Sequence, residues 1–372
     1  MYLPNPIRRA AACLLFCLST ASAGAADKVL IVVSAEGRDQ GKTRPGFEMD
    51  EFAQAWAIFR DNGLTVDVAS PRGGKAEADK YDAKAAYNAR VVSDADAMAK
   101  LAATRATADI DPSGYAAVYV VGGKGAMFDL PADAALQRLL GSVYQQGGVV
   151  AAVCHGPAAL VDVRLPDGRH LVKGKALTGF SNEEEAVFGK RWAASFPFAL
   201  EDAMRERGAL WQEAPLMMPK LVVDGRLITG QNPYSTALVA EAIVAAMGRT
   251  PVAREPWRDE RSLQLVQRLL GGDSAGAQSE LAARRDDYDI NLIGVLGYYQ
   301  LKAATQPPAV RDALAVMQLA APHMTQPQLK LGMAEAHHRL GEAARARELV
   351  AAVLAETPDL EEALRLKKRL DG

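Results

Sequence analysis

The chain has 372 residues, enough for two domains, and 49% of them are hydrophobic, as in an ordinary globular protein. Its 43 Lys and Arg residues nearly balance its 45 Asp and Glu residues, which leaves a formal net charge of −2. The sequence contains no basic block, so we expect no binding to nucleic acid or to an anionic membrane surface.

The N-terminus has the pattern of a cleavable signal peptide. Arg8 and Arg9 precede the apolar stretch AAACLLFCL, and the small residues STASAGAA follow it. The apolar stretch is too short to span a bilayer, so we expect no stable membrane anchor. A retained anchor and a lipoprotein stay open as alternatives, although Phe16 stands before Cys17 where a lipoprotein needs a small residue. We predict that residues 1–25 are a signal peptide and that the protein is periplasmic or secreted.

Residues 26–250 alternate strand-like and helix-like segments. Short Val- and Ile-rich runs fit strands that are buried on both faces of a parallel sheet: KVLIVVSAEG, LTVDVASPRGG, YAAVYVVGGKG and GGVVAAVCHG. Helical stretches such as EFAQAWAIFRDNG and AALQRLLGSVYQQGG separate these runs, KLVVDGRLITG predicts a hairpin that turns at Asp224-Gly225, and STALVAEAIVAAMG predicts a final helix. The pattern predicts an α/β domain with a doubly wound, mostly parallel sheet of flavodoxin-like topology.

Residues 251–372 carry no strand signal and predict an all-α domain. Two stretches, beginning at Leu292 and Leu329, look like copies of one helix pair and resemble tetratricopeptide repeats. The second copy places small or packing residues where such a repeat has them, at Ala334, Ala346, Val350, Val353 and Pro358. The first copy matches at Gly297 and Tyr298, and AATQPPAV predicts a longer turn in it. Generic helical hairpins share this composition, so they stay an alternative.

Cys154 is the strongest candidate for chemistry. GGVVAAV predicts a strand, and HGPAALVDV predicts a helix with Pro157 in its first turn, so Cys154 should occupy a nucleophile elbow. A helix N-terminus there would lower the thiol pKa. Cleavage of the signal peptide would remove Cys13 and Cys17 and leave Cys154 without an internal disulfide partner. The Cys154 thiol would then be either buried and inert or free and reactive.

His155 and a pair of glycines are the candidate partners of this thiol. His155 can offer its main-chain N–H to an oxyanion, while its ring pairs with an acid and polarises the thiol. Gly122 and Gly123 are suited to giving a second N–H, because glycine lets backbone approach a ligand closely. No Lys-Ser pair follows these glycines, so the sequence argues against a nucleotide site.

Several motifs in the same order resemble one known family. GGVVAAVCHGPAAL resembles the elbow of the PfpI/class I glutamine amidotransferase-like superfamily, in particular its branch of glyoxalase III enzymes and heat-shock chaperones. The resemblance extends over residues 28–248 and includes an oxyanion-loop segment, GGKGAMFDLP, and a late hairpin, VDGRLITGQNPYS. It implies that Glu51, in GFEMDEFAQAW, is the catalytic glutamate. The spacing from Gly174 in VKGKALTGFSNEEEAVFG implies that Glu185 is the acid partner of His155.

Each glutamate also has a purely structural alternative. Glu51 could belong to a solvated acidic helix start, because Glu48 and Asp50 are its neighbours. Glu183 and Glu184 compete with Glu185 for the histidine, and Ser181 with Glu184 fits a capping box at a helix start.

Other chemistries find little support in the sequence. No histidine after Cys154 is followed two places later by glutamate, so the sequence argues against glutamine hydrolysis. We expect no metal site, because His337 and His338 are adjacent on a helix and diverge, and no H-E-x-x-H motif is present.

The resemblance implies an enzyme that converts 2-oxoaldehydes such as methylglyoxal to 2-hydroxy acids with no cofactor. One alternative is a stress-related holding chaperone or a redox-sensing binding protein on the same fold, with Cys154 as the sensor. A second is an adaptor that works through its helical repeats. A homodimer, a protein partner on the tail, and packing of the tail on its own domain or on a second subunit all stay open.

Overall fold

The computed structural model describes residues 27–371, so the predicted signal peptide lies outside the described residues. The described strands are β1 (Lys28–Val32), β2 (Thr65–Ser70), β3 (Arg105–Ala106), β4 (Ala117–Val120), β5 (Val149–Val153), β6 (Ala176–Leu177), β7 (Leu210–Trp211), β8 (Leu221–Asp224) and β9 (Leu227–Gly230). The first nine helices are α1 (Met49–Asp61), α2 (Ala86–Val92), α3 (Ala95–Ala102), α4 (Ala126–Asp129), α5 (Ala134–Gln145), α6 (Asn182–Phe188), α7 (Lys190–Ala193), α8 (Leu200–Glu206) and α9 (Thr236–Ala246). The later helices are α10 (Arg258–Leu270), α11 (Ser274–Ala283), α12 (Ile290–Ala303), α13 (Pro307–Ala320), α14 (Pro327–Arg339), α15 (Ala343–Glu356) and α16 (Glu361–Asp371).

Seven strands form one sheet in the order β3-β2-β1-β4-β5-β9-β8. All neighbours pair in parallel except β8 and β9, which form an antiparallel hairpin. The five central strands have the 2-1-3-4-5 order of flavodoxin-like sheets. The predicted doubly wound, mostly parallel sheet is therefore confirmed, and the predicted hairpin is confirmed with its two loop residues at Gly225 and Arg226.

The central strands form because their side chains are apolar at every position. KVLIV, AVYV and VVAAV are almost entirely buried, as expected for strands covered by helices on both faces. In the sheet β4 lies between β1 and β5, so the carboxyl ends of these three strands meet at one edge. Ligands of open α/β sheets bind at this edge.

After α9 the described chain contains helices and no strand. Helices α12 and α13 form one packed pair, and α14 and α15 form another. The predicted longer turn in the first pair is wrong: three residues join each pair, 304–306 in the first and 340–342 in the second. Pro307 begins α13 at once, because its fixed φ suits the first helical position.

The helical domain packs against its own α/β domain. Leu216, Met217 and Met218 lie between β7 and β8, yet their buried side chains join an apolar cluster built mainly from α10 to α14. We call this the shared cluster. A smaller distal cluster connects α14, α15 and α16 and contains Leu331, Ala334, Ala346, Val350, Val353, Ala363, Leu366 and Leu370. Among residues 27–371 no helix is long and apolar enough to cross a membrane.

Candidate active site

The sheet places Cys154 directly after β5, in a left-handed backbone conformation. Its φ is +60°, which is strained for a residue with a side chain. The main chain holds it from both sides, because the Cys154 N–H donates to the Gly230 carbonyl at 2.9 Å and the Phe180 N–H donates to the Cys154 carbonyl at 2.7 Å. This strained strand-end turn has the geometry of a nucleophile elbow.

The segment after Cys154 differs from the sequence-based expectation. The predicted helix is a 3₁₀ helix of five residues, Gly156–Leu160. The predicted lowering of the thiol pKa is also wrong: burial, and then the charge of Glu51, raise the pKa of Cys154 well above its usual value, although the Gly123 N–H lowers it. So short a helix carries a weak dipole, which cannot offset the desolvation of a thiol that is only 4% exposed.

Glu51 lies in the first turn of α1 and is fully buried, so it does not belong to a solvated helix start. Its Oε2 accepts the Gly122 N–H at 2.6 Å, while Oε1 has no conventional hydrogen-bond partner among the described residues. Burial, and then the charge of the neighbouring Glu48, raise the pKa of Glu51 well above its usual value. The raised pKa favours the protonated form of this carboxyl, which lies next to the Cys154 thiol.

The two glycines after β4 have separate tasks. The Gly122 N–H is donated to Glu51, which leaves Gly123 as the glycine of the predicted pair whose N–H can reach an oxyanion. A side chain on Gly122 would come within 2.7 Å of the Cys154 Cβ, so glycine is required for the close approach. Gly123 has a φ of +87°, and its N–H remains the glycine donor that faces the thiol.

His155 is buried and connects the thiol to a carboxylate. Its Nδ1 lies 3.5 Å from the Cys154 Sγ, and its Nε2 lies 2.7 Å from Glu185 Oε2. Since a carboxylate accepts at Nε2, we assign the proton of the neutral ring to Nε2, which leaves Nδ1 as an acceptor towards the thiol. Burial lowers the pKa of His155, and the bond to Glu185 opposes that shift.

The three consecutive glutamates of α6 point in different directions. Glu185 is the one that reaches His155, and Glu183 is exposed. Glu184 is buried and completes a capping box with Ser181. Its Oε1 also accepts hydrogen bonds from the Asn232 side chain at 2.8 Å and from the Met217 N–H at 3.2 Å. The capping alternative therefore describes Glu184 and leaves Glu185 for the histidine.

A pocket of about 300 Å³ opens onto Cys154 and His155. Its lining includes three carboxylates and one cation, Lys124, and burial together with the charge of Asp50 raises the pKa of Glu48 there to about 8. Phe188, Met217 and Tyr234 also line the pocket, and we call these three residues its wall. Sequence reasoning missed this wall, because apolar residues at scattered positions carry no motif. Residues 27–371 contain no group of three or more His, Cys, Asp or Glu side chains arranged to hold a metal ion.

A doubly wound sheet with a buried cysteine elbow, a histidine and two carboxylates defines an α/β protein built for thiol chemistry on a small ligand. Comparison with known proteins gives the family. The DJ-1/PfpI family model matches residues 43–246, and the chain belongs to this family, which confirms the resemblance found in the sequence.

Two curated relatives and one solved structure illustrate the similarity. A glutathione-independent glyoxalase of Schizosaccharomyces pombe is 34% identical over 211 residues, which are 54% of this chain and 86% of that protein. A glutathione-independent glyoxalase of Saccharomyces cerevisiae is 32% identical over 221 residues, 56% of this chain and 91% of that protein. The crystal structure of glyoxalase III from Candida albicans superposes with a TM-score of 0.51 at 27% identity, over 59% of this chain and 97% of that one.

Proposed function

We propose that the protein is a glyoxalase of the glutathione-independent kind, which converts small 2-oxoaldehydes such as methylglyoxal to 2-hydroxy acids with no cofactor. The observation that carries the proposal is the fully buried Glu51 carboxyl, whose pKa is raised, beside a Cys154 thiol that lines a small pocket. The names of the relatives, with which the chain aligns over most of their length, support the same activity.

The first step forms a hemithioacetal. The Cys154 thiol transfers its proton to His155 Nδ1, and Sγ adds to the aldehyde carbon, C1. The raised pKa of Glu51 lets the carboxylic acid donate a proton to the C1 oxygen as charge develops there. The main-chain N–H groups of Gly123 and His155 are the proposed oxyanion donors. Glu185 stabilises the imidazolium that forms.

The second step is an isomerisation. Glu51, now a carboxylate, takes the hydrogen from C1 and returns it to C2, while the hydroxyl proton passes from the C1 oxygen to the C2 oxygen through an enediol. The product is a thioester, because C1 is oxidised as C2 is reduced, and no external oxidant is needed. Water then displaces Sγ: its hydroxyl adds to C1, its proton returns to the Glu51 carboxylate, and His155 returns its own proton to the departing thiolate. The overall reaction adds one water to the 2-oxoaldehyde.

The test is lactate formation from methylglyoxal in the absence of glutathione. We expect Cys154→Ala and Glu51→Gln each to lose turnover by at least about 10³-fold, because each removes a group that the chemistry requires. Glu183→Gln is the matched control and should keep wild-type turnover, since its side chain faces solvent. Absence of lactate from the wild type with its thiol confirmed as reduced would refute the proposal, as would normal turnover by Cys154→Ala.

We also propose that the protein acts after export and that its tail is of the tetratricopeptide kind. The signal-like N-terminus supports export. The helix pairs support the repeat type, since Ala334, Ala346, Val350 and Val353 are buried where two helices must approach closely. A protein partner on the tail and a homodimer are proposals that rest on the sequence alone.

A further inference from the structure

The helical domain packs against every residue in the wall of the pocket. Met217 lines the pocket, and its buried neighbours Leu216 and Met218 belong with it to the shared cluster. Tyr234 and Phe188, which also line the pocket, are packed against the same cluster. The three wall residues therefore pack against residues far along the chain, and Phe188 packs against the α/β core as well.

Helix α12 makes the two most specific of these contacts. The ring of Tyr299 meets the ring of Phe188 edge to face, with 5.0 Å between centroids. The Gln300 Nε2 donates to the Leu216 carbonyl at 3.1 Å, directly before Met217. Neither Tyr299 nor Gln300 lines the pocket itself, so both would act through the residues that they hold.

The segment that Gln300 holds is under local strain. Met217 has a φ of +64°, a left-handed conformation that is unfavourable for a residue with a side chain. Such a conformation persists only when its surroundings hold it. Here the holding contacts come from Glu184 on the α/β side, which accepts the Met217 N–H, and from Gln300 on the helical side.

We propose that α12 is a positioning element of the active site, in which Tyr299 and Gln300 fix the Phe188–Met217 wall and so restrict the pocket to short-chain 2-oxoaldehydes. The helical domain thereby becomes part of the specificity of the enzyme. The substrate class rests on the proposed glyoxalase function, whereas the positioning of the wall can be tested without it.

The kinetic test compares methylglyoxal with the bulkier phenylglyoxal. For Tyr299→Ala we expect the methylglyoxal KM to rise about fivefold with kcat within about twofold of wild type, because the wall holds the substrate while Cys154 and Glu51 are untouched. The kcat/KM ratio of phenylglyoxal to methylglyoxal should rise by a similar factor. Tyr299→Phe keeps the ring contact and should restore both values. Val295→Ala, at an exposed position of the same helix, is the control.

A second readout needs no turnover. The rate at which Cys154 is alkylated by iodoacetamide and by the larger N-ethylmaleimide is measured on the full-length protein by mass spectrometry of the peptide that contains Cys154. We expect Tyr299→Ala to speed the maleimide reaction several-fold more than the iodoacetamide reaction. Gln300→Leu should shift both readouts in the same direction, and it provides a test if Tyr299→Ala does not fold.

The proposal is overturned if Tyr299→Ala and Gln300→Leu match Val295→Ala in KM and in alkylation, or if Tyr299→Phe is as impaired as Tyr299→Ala. A wild type that forms no lactate but shows the expected alkylation pattern would refute the glyoxalase function and keep the positioning role. If the wild type forms lactate normally and the variants have unchanged KM values and unchanged alkylation rates, the glyoxalase function is kept and the positioning role is refuted.

Discussion

The two domains bury their apolar side chains in different ways. In the α/β domain one continuous cluster covers both faces of the sheet, and the groups proposed for the chemistry lie at the carboxyl ends of its strands. In the helical domain the shared cluster includes the wall of the pocket, whereas the distal cluster of α14 to α16 has no α/β residue. The tail therefore has two parts, of which one packs against the pocket wall and the other does not, although both are helical.

Two leucine substitutions test this difference most directly. Leu296 is fully buried in the shared cluster, and Leu366 is 3% exposed in the distal one. Leu296→Ala and Leu366→Ala should each lower the free energy of unfolding by about 3 kcal/mol, because each deletes a buried leucine side chain. Only Leu296→Ala should also raise KM. Denaturant unfolding and steady-state kinetics on both variants measure the effects. An equal change of KM in the two variants would show that the shared and distal clusters do not differ in their effect on the site.

A substitution in the α/β domain should give the opposite kinetic pattern. Glu185→Gln still accepts the proton on His155 Nε2 but carries no charge to stabilise an imidazolium. We expect kcat to fall by about tenfold to hundredfold with KM unchanged, because the pocket wall is intact. Glu183→Gln serves again as the control. A rise in KM with normal kcat would instead place Glu185 among the binding residues.

The smallest expected effect concerns stability and pH. Because the folded-state pKa of Glu51 is raised, the folded protein keeps this proton at pH values where the unfolded chain has lost it. The contribution of Glu51 to stability is then complete below the unfolded pKa and is lost as pH rises towards the folded pKa. The side chain introduced by Glu51→Gln cannot ionise, so the free energy of unfolding of this variant should rise relative to that of wild type as pH increases above the unfolded pKa of 4.5.

Denaturant unfolding at several pH values measures the last effect. The exposed Glu206→Gln is the control and should follow the wild-type pH dependence. If the free energy of unfolding depends on pH in the same way for Glu51→Gln and Glu206→Gln, Glu51 is ionised in the folded protein. Its proposed role as first the acid and then the base is then refuted.

Much of the fold could be predicted because its signals are local. Runs such as VVAAV are apolar at every position, and only strands covered on both faces need that pattern. The elbow at Cys154 was predictable for a similar reason, since a buried strand leads directly into Gly156 and Pro157. The assignment of Glu185 rested on the family resemblance, and its bond to His155 agrees with it.

The rest of the site depends on contacts between distant residues. Gln300 and Leu216 are 84 positions apart, and nothing in the type of either residue predicts that the two form a hydrogen bond. The error on the thiol pKa has a physical cause of the same kind. The sequence shows a turn that could start a helix, but the burial of Cys154 and its proximity to Glu51 exist only in the folded chain.

The left-handed backbone at Cys154 and Met217 has a consequence for protein engineering. Both are positions where glycine would fit with less strain, and both line the pocket. Substituting glycine there would relieve a backbone cost of about 1 kcal/mol at each site. It would also delete a buried side chain, and for Met217 that loss costs about 2 to 5 kcal/mol. The packing of the side chains therefore maintains the strained backbone, and a search for thermostable variants should leave both residues in place.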